Sequence, residues 1–367
     1  MKKHTSIVLA MVAINAAAAG SATAQSSVTI SGWLNLGVIK KTGEETKLGT
    51  VSRNSLTFSG KEDLGSGLAA TFKLGTRFEL DTGTTEVDGG GRPFYQQEST
   101  VGLRGSLGSV RLGRALSPIG ALDGTYDAWA VFDGVASPAW WFFIPDYLPD
   151  PRAGLPNSYD YGRVANGIFY DSPDLSGFSV HLSTAAGEGQ QDKARHYGAS
   201  FNYDKNGLSL MAAAEQNSQR DRAYFLGAAY KIGPVNTMLG YSQVKLNPDG
   251  TVFGADWTNW AAASDPKTKR NSVTLSATID VGSNTILVGA GRDFQGSTNA
   301  FNFIGSTFTK AGTNYSGASN FYGLGYLYNL SKRTSLFADA SYVNWKFEDD
   351  NGRTHATGFS VGMNHGF

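Results

Sequence analysis

Five histidines, one serine set between glycines and a few aspartate-glycine pairs are what a search for catalytic chemistry meets first. Gly358-Phe359-Ser360-Val361-Gly362 has the glycine-x-serine-x-glycine spacing of a nucleophile elbow, a motif that works on a sharp strand-to-helix turn. Here it lies inside an alternating segment near the end of the chain, so it reads as coincidence. His4, His181, His196, His355 and His365 are scattered, and no pair has metal-ligand spacing with a third ligand close by. Asp249-Gly250 and Asp349-Asp350-Asn351-Gly352 read as turns, without the pattern of an EF-hand calcium loop. No catalytic, metal or cofactor site emerges. What remains is charge and aromatic surface: Arg53, Lys73 and Arg77 in alternating segments, and a long stretch holding Asp123, Asp127, Asp133, Asp146 and Asp150. Cations and carboxylates facing each other across a narrow wet opening sort ions and orient dipolar solutes.

Such charges need a wall, and the alternation supplies one. In Ser272–Ile279, Val273, Leu275, Ala277 and Ile279 oppose Ser272, Thr274, Ser276 and Thr278. Tyr322–Leu330 and Leu336–Tyr342 repeat the rhythm. In the last segment Phe359, Val361, Met363 and Phe367 oppose Ser360, Gly362, Asn364 and Gly366. A period of two is that of a strand with one apolar face. Segments of about 10 residues suit tilted strands crossing a bilayer. Short breaks such as Lys61–Ser66, Asp204–Gly207 and Ser331–Arg333 alternate with long ones such as Lys40–Gly49, Ser117–Asp160 and Lys245–Arg270. That rhythm predicts an all-β, transmembrane antiparallel barrel of about sixteen strands. The competing fold, a secreted sandwich or lectin, would need shorter strands and a core shared by two sheets. A terminal aromatic strand also favours closure, because a barrel leaves no edge to fray.

Lys2 and Lys3, an apolar run from Ile7 to Ala19 and Ala22-Thr23-Ala24 read as a signal peptide over 1–24. The barrel domain is then 25–367. No later run of about 18 apolar residues offers a transmembrane helix. Cysteine is absent, so no disulfide holds an exported chain. Basic and acidic residues balance at 31 each, and losing Lys2 and Lys3 leaves 29 against 31. Neither figure fits a nucleic-acid binder. Glycine (46) with 12% aromatics and few prolines suits a barrel with aromatic girdles outside and small residues within.

A set of ordered phrases adds to this reading. They include Ser27-Val28-Thr29-Ile30-Ser31-Gly32, Arg53-Asn54-Ser55-Leu56-Thr57-Phe58, Lys61-Glu62-Asp63-Leu64-Gly65, Val101-Gly102-Leu103-Arg104-Gly105 and Gly362-Met363-Asn364-His365-Gly366-Phe367. Together they resemble the general porins of Gram-negative bacteria, particularly the betaproteobacterial branch. The resemblance implies a sixteen-stranded barrel in the outer membrane, a homotrimer, and a pore-constricting loop at about 115–160. It also implies that Arg53, Arg114 and Arg163 belong to the wall. Where relatives often carry an arginine before the fourth strand and a glutamate closing the third, this chain has Gln97 and Gly75.

Parity refines the expected constriction. Leu56 and Phe58 face lipid, which turns Arg53, Ser55, Thr57 and Ser59 inward. Leu68, Ala70, Phe72 and Leu74 do the same for Lys73 and Arg77. Arg114 shares parity with Val110 and Leu112, so it points inward only if a bulge intervenes near Gly113. Asp123 and Asp127 are expected opposite these cations. Trp140-Trp141-Phe142-Phe143 either packs the loop against the wall or lines a path for solutes. The expected function is a water-filled pore for passive diffusion of small hydrophilic solutes and ions, with an anion preference. The alternative is a substrate-selective channel with an aromatic constriction. A barrel enzyme would need a Ser/His/acid cluster that the sequence does not offer, and an adhesin would act through its long loops.

Overall fold

The computed structural model describes residues 27–86, 93–131, 133–143, 162–186, 195–217, 220, 222–245, 269–294, 319–345, 348 and 352–367. The expected signal peptide, Asp146 and Asp150 lie outside them. The strands are β1 (Ser27–Lys41), β2 (Lys47–Gly49), β3 (Asn54–Gly65), β4 (Leu68–Phe78), β5 (Glu98–Gly105) and β6 (Gly108–Leu116). Next come β7 (Arg163–Asp171), β8 (Phe178–Ala185), β9 (Tyr197–Lys205), β10 (Leu208–Gln216), β11 (Arg222–Ile232) and β12 (Val235–Lys245). The last are β13 (Lys269–Val281), β14 (Asn284–Asp293), β15 (Ser319–Asn329), β16 (Thr334–Trp345) and β17 (His355–Gly366). From β3 to β17 each strand pairs antiparallel with the next. β1 closes the ring, pairing with β3 through Ser27–Trp33 and with β17 through Trp33–Lys41. β2 is a short flap folded back on Gly37–Ile39, so sixteen strands form the wall.

The alternation sets the faces. Leu275, Leu324, Phe359, Val361 and Met363 are exposed on the outside, while Ser272, Thr274, Ser276, Ser360 and Asn364 are buried within. Tyr322, Tyr326 and Tyr328 also stand outside. Ser360, the serine of the elbow-like motif, is an inward residue of a straight strand, not a turn. No helix among the described residues is long and apolar enough to cross a membrane, so the crossing is made by strands. Satisfying every backbone group within a closed sheet is what permits that in hydrocarbon.

One expected turn is tighter than its sequence suggests. Lys61–Gly65 continues β3 instead of forming a loop. The chain reverses at Ser66 and Gly67, both at positive φ (52° and 77°), the geometry of a two-residue hairpin whose twist matches the strands. The charged run Lys61-Glu62-Asp63 therefore ends a strand.

The seam between first and last strands is knitted by asparagines. Asn35 Nδ2 donates to Asn364 Oδ1 at 2.6 Å, and Asn364 Nδ2 donates to Ser335 Oγ at 3.4 Å. Asn35 Oδ1 accepts from Val51 N and Ser52 N, both at 2.8 Å. Gly32 and Phe367 exchange two backbone bonds, and the Phe367 ring lies where a side chain on Gly32 would stand.

Candidate functional site

Between β6 and β7 the chain turns into α1 (Pro118–Leu122), a 3-10 turn (Asp123–Tyr126) and α2 (Pro138–Phe142). Each short helix starts the same way. A serine accepts from the third residue on, Ser117 Oγ from Gly120 N (3.3 Å) and Ser137 Oγ from Trp140 N (2.9 Å). A proline follows the cap, where its missing N–H costs nothing. These elements lie against inward residues of β9 to β15. Ile119 N donates to Glu215 Oε1 (2.6 Å), Ala128 N to Ser276 Oγ (3.0 Å), Trp129 Nε1 to Asp339 Oδ1 (2.9 Å) and Ser272 Oγ to Phe142 O (3.0 Å).

The wall beneath is made to receive this segment. Inward glycines supply close approach. The Tyr126 ring occupies the side-chain space of Gly227, Phe143 that of Gly240, and the Ala136 carbonyl that of Gly323. Phe142 atoms lie 2.6 Å from where a Gly291 Cβ would be. Around these contacts Ile119, Trp141, Phe142 and Phe143 form one apolar cluster with Met211, Phe225, Met238 and Phe321. The aromatic run is therefore used chiefly for packing, and Trp140 alone of the four is only partly buried.

Aspartates fold the segment internally. Asp127 Oδ2 accepts from Trp129 N (3.1 Å), Val131 N (2.9 Å) and Ser137 Oγ (2.8 Å). Those bonds hold Ala130 and Val131 at φ of 52° and 62°, a region costly for a β-branched residue. Asp133 Oδ1 accepts from Val135 N (2.7 Å) and Ala136 N (2.6 Å). Burial pushes the carboxyls of Asp127 and Asp133 up to about 6 against these bonds. It raises Asp123 well above the usual carboxylate range, with the charge of Glu215 adding to it.

The opposite arc carries the cations. Arg53 and Arg77 share Glu86, at 4.0 and 3.7 Å. Arg114 Nε donates to Gln96 O (3.1 Å) and Arg163 Nε to Gln97 O (2.7 Å). Gln96 Nε2 in turn donates to Arg77 O (3.2 Å). Four guanidinium groups thus gather about Glu86 and the short stretch before β5. The Arg53 guanidinium also stacks 4.8 Å from the Trp140 ring, joining this arc to the inserted segment. Arg114 reaches its place because the register shifts between Gly113 and Ala115, with Gly113 at φ 128°.

Beside them runs a ladder of paired polar side chains. Lys73 Nζ meets Glu98 Oε2 (2.8 Å), and Arg111 Nη1 meets Glu98 Oε1 (2.9 Å). Arg111 Nη2 meets Asp171 Oδ2 (3.1 Å), and His181 Nδ1 meets Asp171 Oδ1 (2.8 Å).

The structure brings Arg53, Arg77, Arg114 and Arg163 together and sets Lys73 in the adjoining ladder. It corrects the expectation for Asp123 and Asp127. Both are buried, 2% and 3% exposed; Asp127 is taken up by the donors of the segment's own strained turn, and Asp123 lies in the 3-10 turn packed against β11 and β12. Glu86, Glu98, Arg111 and Asp171 were missed as partners. Glu98 stands in register opposite Gly75, so the carboxylate that the family resemblance implies at the end of β4 is carried instead by the neighbouring strand β5. Period-two parity already marks Arg111 as inward, between Val110 and Leu112.

Comparison with known proteins agrees with this architecture. The family described as Gram-negative porin matches residues 8–365. Outer membrane porin protein 32 of Delftia acidovorans is 30% identical, over 90% of this chain and 87% of its own length. An outer membrane porin protein of Bordetella pertussis is 25% identical, over 97% of this chain and 98% of its own length. Among solved structures, an anion-selective porin from Comamonas acidovorans superposes with a TM-score of 0.71 at 23% identity, covering 94% of this chain and all of that one.

Proposed function

The chain belongs to the Gram-negative porin family, and from that premise we propose that the Arg53, Arg77, Arg114 and Arg163 cluster gives its channel an anion preference. The protein resides in the outer membrane and forms a diffusion channel, with no enzymatic chemistry. The observation that carries the preference is the convergence of four guanidinium groups on Glu86 and residues 96–97. Asp123 and Asp127, turned away into the packing, contribute little opposing charge. A row of fixed cations beside a narrow water column raises the local anion concentration. The anion selectivity of the structurally similar Comamonas protein supports the same direction.

Residues 117–143 narrow the lumen in this reading, and residues 1–24 are a cleaved signal that routes the chain through the periplasm. The wall assembles as a homotrimer, as the family resemblance implies. Mass measurement of the detergent-solubilised protein tests the trimer, and sequencing of the mature amino terminus tests the cleavage.

Planar-bilayer recordings in a salt gradient test the selectivity. Arg53→Gln with Arg163→Gln should move the reversal potential towards cations. An unmoved potential removes both residues from the filter. A second reading, a channel that grips one solute class, rests on the Arg53–Trp140 stack. Current block by a planar solute at micromolar concentration, lost in Trp140→Ala, would favour it.

A further inference from the structure

We infer that Glu98 is a specificity-determining residue that masks Lys73 and so limits the anion preference of the channel. The inference rests on the diffusion-pore reading above and concerns a residue outside the arginine cluster. Both oxygens of Glu98 are committed, Oε2 to Lys73 at 2.8 Å and Oε1 to Arg111 at 2.9 Å, with Thr100 Oγ1 donating to Oε1 at 3.0 Å. The two cations are not held alike. Arg111 is fixed from three sides, by Glu98, by two bonds to Asp171 Oδ2 at 3.1 and 3.2 Å, and by the Phe169 ring 5.5 Å away. Among the described residues, Lys73 is paired with Glu98 alone.

Exposure separates them further. The Lys73 side chain is 46% exposed against 27% for Arg111 and 12% for Glu98. Lys73 lies on the inward face of β4, opposite Thr100 of β5 and Ser59 of β3. Loss of the Glu98 charge therefore leaves Arg111 tied to Asp171 and releases Lys73 into the water column. A flexible ammonium freed from its carboxylate acts on passing anions as a mobile point charge. Loss of Asp171 would do less, because Glu98 would still hold Arg111.

The test is a double-mutant cycle on the full barrel in planar bilayers: wild type, Glu98→Gln, Lys73→Gln and both together, with Asp171→Asn alongside. In Glu98→Gln the chloride-over-potassium permeability ratio should rise roughly twofold, the effect of one unit charge about 8 Å away that acts in opposite senses on the two ions and is screened by about one Debye length of salt. In the Lys73→Gln background the same change should lose more than half of that effect, and Asp171→Asn should shift the ratio less than Glu98→Gln. An equal shift in both backgrounds would show Glu98 to act as a plain charge and overturn the masking. An unchanged ratio in Glu98→Gln, while Arg53→Gln with Arg163→Gln still moves it, would overturn the role of Glu98 and spare the pore reading. A wild-type channel without selectivity would sink that reading instead. Glu98→Ser repeats the measurement should the glutamine variant fail to insert.

Discussion

The two arcs of the inner wall solve opposite problems with opposite residues. From β10 to β15 the buried inward positions are mostly glycine, alanine, serine, threonine and a few large apolar side chains, with Glu215 and Asp293 among them, and the inserted segment packs on this face. From β3 to β7 they include arginine, lysine and glutamate, linked to one another and to backbone carbonyls. One arc is a bed for the inserted segment; the other is a charged surface. The difference shows that a barrel lumen is not uniformly polar. Where a segment must lie flat, the wall gives up side chains, and elsewhere it carries charge.

Filling the bed should have the largest effect. At Gly323 the Ala136 carbonyl takes the side-chain space, and backbone cannot step aside as a side chain tip can. Gly323→Val should cost about 2 kcal/mol or more and lift residues 117–143 from the wall. Single-channel conductance should rise and the thermal transition should fall. Wild-type conductance in this variant would mean that the segment does not narrow the lumen.

Next in its effect on conductance is Asp127→Ala, which disturbs one turn and not the whole docked segment, by stripping the acceptor from Trp129 N, Val131 N and Ser137 Oγ. Buried donors left without partners cost about 1–3 kcal/mol each. The strained turn should open and become a protease site, with noisier current but unchanged ion preference. A shift in reversal potential as large as that of the arginine pair would return Asp127 to the filter and erase the contrast between the arcs.

The smallest effect sharpens the same contrast through pH. The carboxyls of Asp127 and Asp133 sit near 6 when docked, above the unfolded value near 3.9. The docked state therefore binds more protons than the open one between those values. Its added stability is complete below about pH 4 and is lost as pH rises through about 6. Protease resistance of the segment should be greater at pH 4.5 than at pH 7.5, and Asp127→Asn with Asp133→Asn should flatten the dependence. A pH-independent wild type would show that burial does not burden these groups.

The wall was legible in the sequence because parity is local. Each strand states its own faces, and the bulge required at Gly113 was visible as a conflict between Arg114 and its neighbours Val110 and Leu112. The partners were not legible. Glu98 meets Lys73 and Arg111 because β5 lies between β4 and β6, yet nothing in any single strand says which carboxylate reaches which cation. The aspartates misled for a related reason. A charge in a loop reads as exposed, whereas Asp127 is consumed by the backbone of a turn formed by Ala130 and Val131. The glycine bed spans strands far apart in sequence, so its purpose shows only once Tyr126, Phe142 and Phe143 are seen resting on it.

The asparagine seam has a consequence for biogenesis. Asn35 meets Asn364 across 329 residues, and contacts of such span form late, after most chain entropy has been lost. Any partly assembled sheet would carry two raw borders ready to join a neighbouring molecule. The cylinder is thus a single cooperative object, vulnerable to aggregation until its two borders meet and largely indifferent to it afterwards.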